Sequence, residues 1–291
     1  MSRPANCKLA AVVCLLAVFS SSCLVRRRLV TRQGKHDTRP LLTATKEDLI
    51  QRIRATYQPI HSFTATLDMT PSLGSVYKGE ISEFPSVRGY VIFRKPGDIR
   101  IIGLDPVIHS RAFDMVSLGK DFHVSLPSKN LFIEGHNDAP ADSKNKIENL
   151  RPAAFLQAML ITPPDAVTEA PVLEDDTDEE HAFYVLLILR RQPELLVDRA
   201  VYFDRLTLQI VRQKAFDAKG LTVSDTRYSN WKYFNGVTFP SSIDINRPED
   251  GYGVVMELVN MKMNNDVGDD KFVLNKPEGA QLRVIGQPAA K

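Results

Sequence analysis

The body of this sequence has no cysteine. The chain holds three, Cys7, Cys14 and Cys23, all within the first 23 of its 291 residues. Beyond residue 23 there is thus no internal disulfide, no thiol nucleophile and no thiolate metal site. A surplus of one charge is missing too. Lys plus Arg is 37 against 35 for Asp plus Glu, a formal charge of +2. That excludes the single-sign field of a dedicated nucleic-acid binder. Trp231, Tyr228 and Tyr233 sit beside Arg227 and Lys232, but a base-stacking platform needs more positive charge than this. No apolar run reaches the roughly 20 residues of a membrane-spanning helix. The six histidines, His36, His61, His109, His123, His136 and His181, form no HExxH or His-x-His arrangement. There is no GxSxG elbow, P-loop or dinucleotide fingerprint either. The residues therefore name no nucleophile, acid–base pair, metal or cofactor, and the chain reads as a non-enzyme.

What is present is an ordinary folded composition, 43% hydrophobic and 25% charged, in a chain long enough for one large domain or two small ones. The first 22 residues read as an export signal. Arg3 and Lys8 precede an apolar run of 11 residues, Leu9–Phe19, and small residues Ser20, Ser21 and Ser22 follow. The run is right for a signal-peptide core and too short for an anchor helix, which would meet Arg26, Arg27 and Arg28. The segment resembles a bacterial lipoprotein signal. The resemblance implies cleavage before Cys23 and diacylation of that cysteine. It departs from the usual pattern in having Ser20 where an apolar residue is common. Ser20 and Ser22 also suit an ordinary signal peptidase, so simple secretion is the alternative. Cys14 follows Val13, which is not small, and is a poor candidate. Leu24 after the cysteine, where an Asp would favour the inner membrane, leans toward the outer membrane. Removing residues 1–22 takes away Arg3 and Lys8 and no acid, which leaves basic and acidic counts equal at 35. Residues 23–42 then form an acylated N-terminus and basic linker, with Arg26, Arg27, Arg28, Arg32, Lys35 and Arg39. It is either a contact for anionic headgroups or a solvated spacer.

A domain is expected over 43–285. Thr45 and Asp48 form a capping box, and Leu49, Ile50, Ile53 and Tyr57 recur at helical spacing before Pro59. The period then changes to two. Phe63, Ala65, Leu67 and Met69 alternate with polar residues, which predicts a strand with one apolar face. Further strands are expected at Gly89–Arg94, Ile99–Leu104, Ala112–Leu118, Phe122–Leu126 and Leu131–Glu134. Their links, such as Lys95-Pro96-Gly97-Asp98 and Gly119-Lys120-Asp121, are too short for crossover helices, so consecutive antiparallel hairpins follow. The pattern lapses from about 136 to 180. Pro152–Ile161 predicts an apolar helix, ended by Pro163 and Pro164. Glu174–Glu180 carries six acids in seven residues without a calcium-loop glycine, and is expected to be a solvated hairpin loop. Strands resume at Ala182–Leu189, Val201–Phe203, Ile210–Phe216, Thr222–Phe234, Val237–Ile245 and Gly253–Met263, with a last one near Phe272–Leu274. Asn235-Gly236 is the strongest hairpin signal. Eleven to 13 strands and two helices result. An antiparallel sheet of that size must curl or close. Residues 286–291 read as a loose tail.

Two stretches carry a family resemblance. One is Gly89 to Pro127, GYVIFRKPGDIRIIGLDPVIHSRAFDMVSLGKDFHVSLP. The other runs from Val201-Tyr202-Phe203-Asp204 through Phe239-Pro240 and Asn264 to Phe272-Val273-Leu274 and Pro277. Over roughly 46–280 the chain resembles the LolA/LolB-like superfamily of periplasmic lipoprotein carriers and outer-membrane lipoprotein receptors. The resemblance implies a mainly β (α+β) fold, a large curved antiparallel sheet forming an unclosed barrel, with helices as a lid. It implies an apolar cavity for acyl chains, no catalytic residue, and a place at the inner leaflet of the outer membrane. Implied partners are acylated lipoproteins or phospholipid, the membrane itself through the acyl chains on Cys23, and a periplasmic carrier protein. The candidates to line the cavity are Phe63, Leu67, Val91, Phe93, Ile99, Ile101, Phe113 and Met115 on strands, with Phe155, Met159 and Leu160 on the lid. Val107 and Ile108 offer a weak apolar loop. The other reading keeps the scaffold without lipid cargo, as a lipid-anchored interaction or envelope-assembly protein.

Overall fold

The structure, a computed structural model, describes residues 39–75, 77, 79–137, 139 and 150–285. The export signal of residues 1–22, Cys23, most of the basic linker and the tail of residues 286–291 lie outside the described residues.

Helix α1 (Lys46–Tyr57) begins at the predicted capping box. The Asp48 N–H donates to Thr45 Oγ1 at 3.2 Å, and the Thr45 N–H donates to Asp48 Oδ2 at 2.9 Å. The Thr45 N–H and the Thr45 hydroxyl, which both donate to Asp48 Oδ2, hold the Asp48 carboxyl below the usual carboxylate range. At the other end Lys95 Nζ donates to the Tyr57 carbonyl at 2.8 Å and lies 3.9 Å from the Tyr57 ring centroid. A cation thus meets the negative end of the helix. Thr45→Ala should cost about 1 kcal/mol, seen as a lower urea midpoint with unchanged slope.

Fifteen strands follow among the described residues. β1 (Ser62–Ser75), β2 (Glu80–Glu83), β3 (Val87–Arg94), β4 (Asp98–Leu104), β5 (Arg111–Leu118), β6 (Asp121–Leu126) and β7 (Leu131–His136) precede helix α2 (Pro152–Met159). After it come β8 (Glu169–Thr177), β9 (Ala182–Arg190), β10 (Leu196–Asp204), β11 (Ile210–Phe216), β12 (Thr222–Phe234), β13 (Val237–Arg247), β14 (Tyr252–Met263) and β15 (Gln281–Ile285). They make one sheet in the order β15-β7-β6-β5-β4-β3-β1-β14-β13-β12-β11-β10-β9-β8, with β2 beside the far end of β1. The edges β15 and β8 do not meet, so the sheet is an unclosed barrel. The β12–β13 turn is Asn235-Gly236 with φ of 44° and 93°, the two left-handed residues a two-residue hairpin requires.

One face of the sheet holds the main core. Phe63, Leu67, Val91, Phe93, Ile99 and Ile101 are at most 1% exposed. The Phe63 ring centroid lies 5.0 Å from that of Phe93 and 5.9 Å from that of Phe239. Leu49, Ile50 and Ile53 of α1 and Phe155, Ala158 and Met159 of α2 join this core. The helices therefore cover the concave face as a lid.

Four local expectations are corrected. The segment Phe272–Leu274 is not a strand. Residues Asp269–Phe272 form a 3₁₀ turn in a strap across the outer face of β3–β5. There Val267 and Phe272 bury against Val116, with Ile92 and Leu274 beside them. The strap delivers β15 to β7 in a parallel pairing, where the sequence predicts only antiparallel neighbours. Second, the acidic run is not all loop. Glu174–Thr177 belong to β8, and only residues 178–180 turn. β8 is an edge strand that fully buries no residue, so it carries no apolar alternation. Its ladder to β9 and the ion pair of Asp175 with Arg205 at 2.9 Å hold it, and Pro171 is tolerated because the edge is free. Third, β2 is a short strand with every residue exposed, again without a pattern to read. Fourth, α2 ends at Met159 rather than Ile161.

Candidate functional site

Between α2 and strands β1, β4, β5 and β14 lies a cavity of about 570 Å³. Its position follows from two residues that have no side chain. Gly89 and Gly103 face each other across β3 and β4, in the inward frame of Val91 and Ile101. A Cβ on Gly103 would lie 2.2 Å from the Phe113 ring, and one on Gly89 would lie 2.2 Å from Met69 Cε. Phe113 and Met69 therefore fold across the bare backbone, and the space above them stays open. Met69, Leu73, Phe84, Val87, Ile101, Phe113, Met115, Leu126, Leu150, Phe155 and Val254 give it an apolar wall. Leu73 and Phe84 are 46% and 44% exposed and mark its mouth.

Polar residues on the wall are few: Ser72, Lys129 and Tyr252. Tyr252 is 6% exposed, and its hydroxyl has no hydrogen-bond partner among the described residues. Burial pushes its pKa up to about 12, with Arg247 pulling down and Asp250 pushing up. It is a neutral O–H donor across the ordinary pH range. A pocket with so apolar a wall suits a hydrocarbon chain.

Ile101, Phe113, Met115 and Phe155 of the sequence candidates border this cavity. Phe63, Leu67, Val91, Phe93 and Ile99 are buried away from it, and so are Met159 and Leu160, which touch a crevice of about 10 Å³ at the end of α2. Cys23 lies outside the described residues. Sequence reasoning missed Leu73, Phe84, Leu126, Tyr252 and Val254. A readable signal was the pair of glycines set in the inward frame of two neighbouring strands.

The lid is fastened from the opposite half of the sheet. Tyr228 on β12 donates to the Ala158 carbonyl at 2.7 Å, and Gln213 on β11 donates to the Gln157 carbonyl at 3.2 Å. Both satisfy carbonyls that the helix end leaves without a partner. Tyr228→Phe should cost about 1–2 kcal/mol through the orphaned carbonyl and speed amide exchange in α2 more than in the strands, which exchange mass spectrometry would read. Among the described residues no helix is long and apolar enough to cross a membrane, and no His, Cys, Asp or Glu cluster is gathered as for a metal.

This lid-covered, one-sheet half-barrel has the fold of the LolA superfamily. A LolA superfamily protein from Nitrosomonas europaea matches at a TM-score of 0.51 and 14% identity, over 80% of this chain and 99% of that one. A candidate outer membrane lipoprotein-sorting protein domain from Vibrio parahaemolyticus matches at a TM-score of 0.52 and 11% identity, over 78% and 97%. A DUF1329 family protein from Desulfovibrio piger matches at 0.51 and 16%, over 78% and 95%. No protein-family model and no curated protein matches the sequence.

Proposed function

We propose that this protein binds the acyl chains of lipoproteins or lipids and acts in their transfer or localisation, without catalysis. In this reading Cys23 is diacylated and holds the domain at the periplasm-facing leaflet of the outer membrane. The observation that carries the proposal is the apolar cavity of about 570 Å³, within the roughly 300–1,000 Å³ of ligand pockets. The fold shared with the lipoprotein-sorting domain from Vibrio supports it. Binding needs no reaction. Each methylene buried stabilises by about 0.8 kcal/mol, and release needs α2 to lift or a partner to compete.

Native mass spectrometry with lipid extraction tests it, on the full chain carrying Cys23→Ser. One co-purifying phospholipid or acylated peptide per chain is expected. Protein that stays empty after incubation with both would remove the proposal.

One observation favours the reading without cargo. Leu73, Tyr77, Ile81, Val107 and Ile108 are 46–81% exposed. They lie on or beside the β1–β2 and β4–β5 connections, at the end of the sheet where the cavity opens. A lipid-anchored interaction or assembly protein could dock a partner there, and the empty-protein outcome would favour it.

A further inference from the structure

The apolar cavity has a direction. Its wall takes in six neighbouring strands, through Val254 of β14, Met69 of β1, Val87 of β3, Ile101 of β4, Met115 of β5 and Leu126 of β6. On β3, β4 and β6 it touches a single residue of each strand. The cavity is therefore long across the strands and short along them. Gly89 and Gly103 lie in one cross-strand row, which continues to Leu67 on β1 and Phe113 on β5. The bare floor thus runs the same way as the cavity.

Its dimensions select an occupant. Five strand spacings of about 4.8 Å make a slot roughly 24 Å long, measured along the sheet. A volume of about 570 Å³ over that length leaves a mean section of about 24 Å², close to one strand spacing squared. One polymethylene chain fills that section, and two abreast do not fit. A methylene takes up about as much space as a water in the liquid, about 30 Å³, so the slot holds about 19 carbons.

The two ends differ. Near β1 the slot opens between Leu73 and Phe84, both apolar and half exposed. At the β6 end Leu126 is buried, and the next residue of the wall is Lys129, which is exposed and charged. A lysine lays its stem on apolar surface and keeps its ammonium in water. Methylenes pushed past Leu126 meet that ammonium and water, and gain no burial.

We infer that the cavity holds one unbranched hydrocarbon chain at a time, laid across the strands, and that Lys129 sets the length of chain it covers. This rests on the acyl-chain reading above and narrows it. A lipid with two or three chains is held by one of them, and the others stay outside. Cargo is then sorted by the length of a single chain rather than by the number of chains.

The test uses the full chain with Cys23→Ser and lysophosphatidylcholines with chains of about 10 to 22 carbons, which compete with a fluorescent fatty acid. Affinity should rise about fourfold per methylene up to about 18 carbons and then level off. Native mass spectrometry should find one ligand per chain at saturation. Lys129→Leu extends the apolar wall at an exposed position, where the fold is not at stake, and should move the plateau about two carbons further. Gly103→Ala should move it to shorter chains. The three atoms nearest its new Cβ all belong to the Phe113 ring, and that ring must swing into the slot. Two ligands per chain at saturation, or affinity that keeps climbing past about 20 carbons, would overturn the inference and leave acyl-chain binding standing. A plateau that Lys129→Leu leaves in place does the same. Binding of no chain at any length removes the acyl-chain reading, and this inference with it.

Discussion

Arg100→Ala should destabilise the protein by about 3–5 kcal/mol, the cost of leaving a buried charge without its partner. Arg100 donates from Nε to Asp114 Oδ1 at 2.9 Å and from Nη2 to Oδ2 at 2.7 Å. The two side chains are 12% and 1% exposed. The remaining nitrogen, Nη1, donates to the carbonyls of Lys271 at 2.8 Å and Val273 at 3.3 Å. One guanidinium thus neutralises an interior carboxylate and pins the strap over β3–β5. Arg111 also reaches Asp114, at 3.1 Å, but is 59% exposed, so it softens the loss only in part. Urea unfolding gives the magnitude. Hydrogen exchange should show residues 264–285 opening first. The double variant Arg100→Ala, Asp114→Ala should recover much of the loss, since it removes the stranded charge as well. A single variant within about 1 kcal/mol of the parent would refute the account.

Val87→Trp should weaken acyl-chain binding by roughly fiftyfold while the domain stays folded. Val87 is half-buried on the cavity wall, so an indole there can project into open space rather than into packed core. Excluding about three methylenes at roughly 0.8 kcal/mol each gives that factor. Fluorescent fatty-acid titration measures it, and an unchanged circular dichroism melt controls for folding. Unchanged affinity would mean the chain lies elsewhere.

Much of this architecture is legible from periodicity. β1, β3 and β4 announce themselves because one face is buried and one is wet, as Phe63, Leu67, Val91 and Ile101 show. The lid helix follows from its prolines and its apolar length. The strap and β8 are not legible for the same physical reason in reverse. Phe272 and Val267 are fixed by partners on the outer face of a distant hairpin, and no local repeat encodes that. Glu174–Thr177 are held by an edge ladder, which asks nothing of their polarity. The cavity is harder still. Buried apolar side chains look alike in sequence whether they fill space or border it. Ile99 and Ile101 lie two residues apart on the same strand face, yet Ile101 borders the hollow and Ile99 does not. What distinguishes the place is an absence of atoms, at Gly89 and Gly103.

The seam between β1 and β14 joins Phe63 to Met263 and Leu73 to Tyr252. β1 is the middle of the sheet, and its partner on that side is made nearly two hundred residues later. A chain that emerges amino end first therefore displays the bare edge of its central strand through most of its synthesis. Pairing this distant is slow, and an open strand edge invites wrong partners in the meantime. A polypeptide of this design depends on being shielded until the last seventh of the chain arrives. A stop codon between β13 and β14 would leave two unjoined half-sheets rather than a smaller version of the same domain.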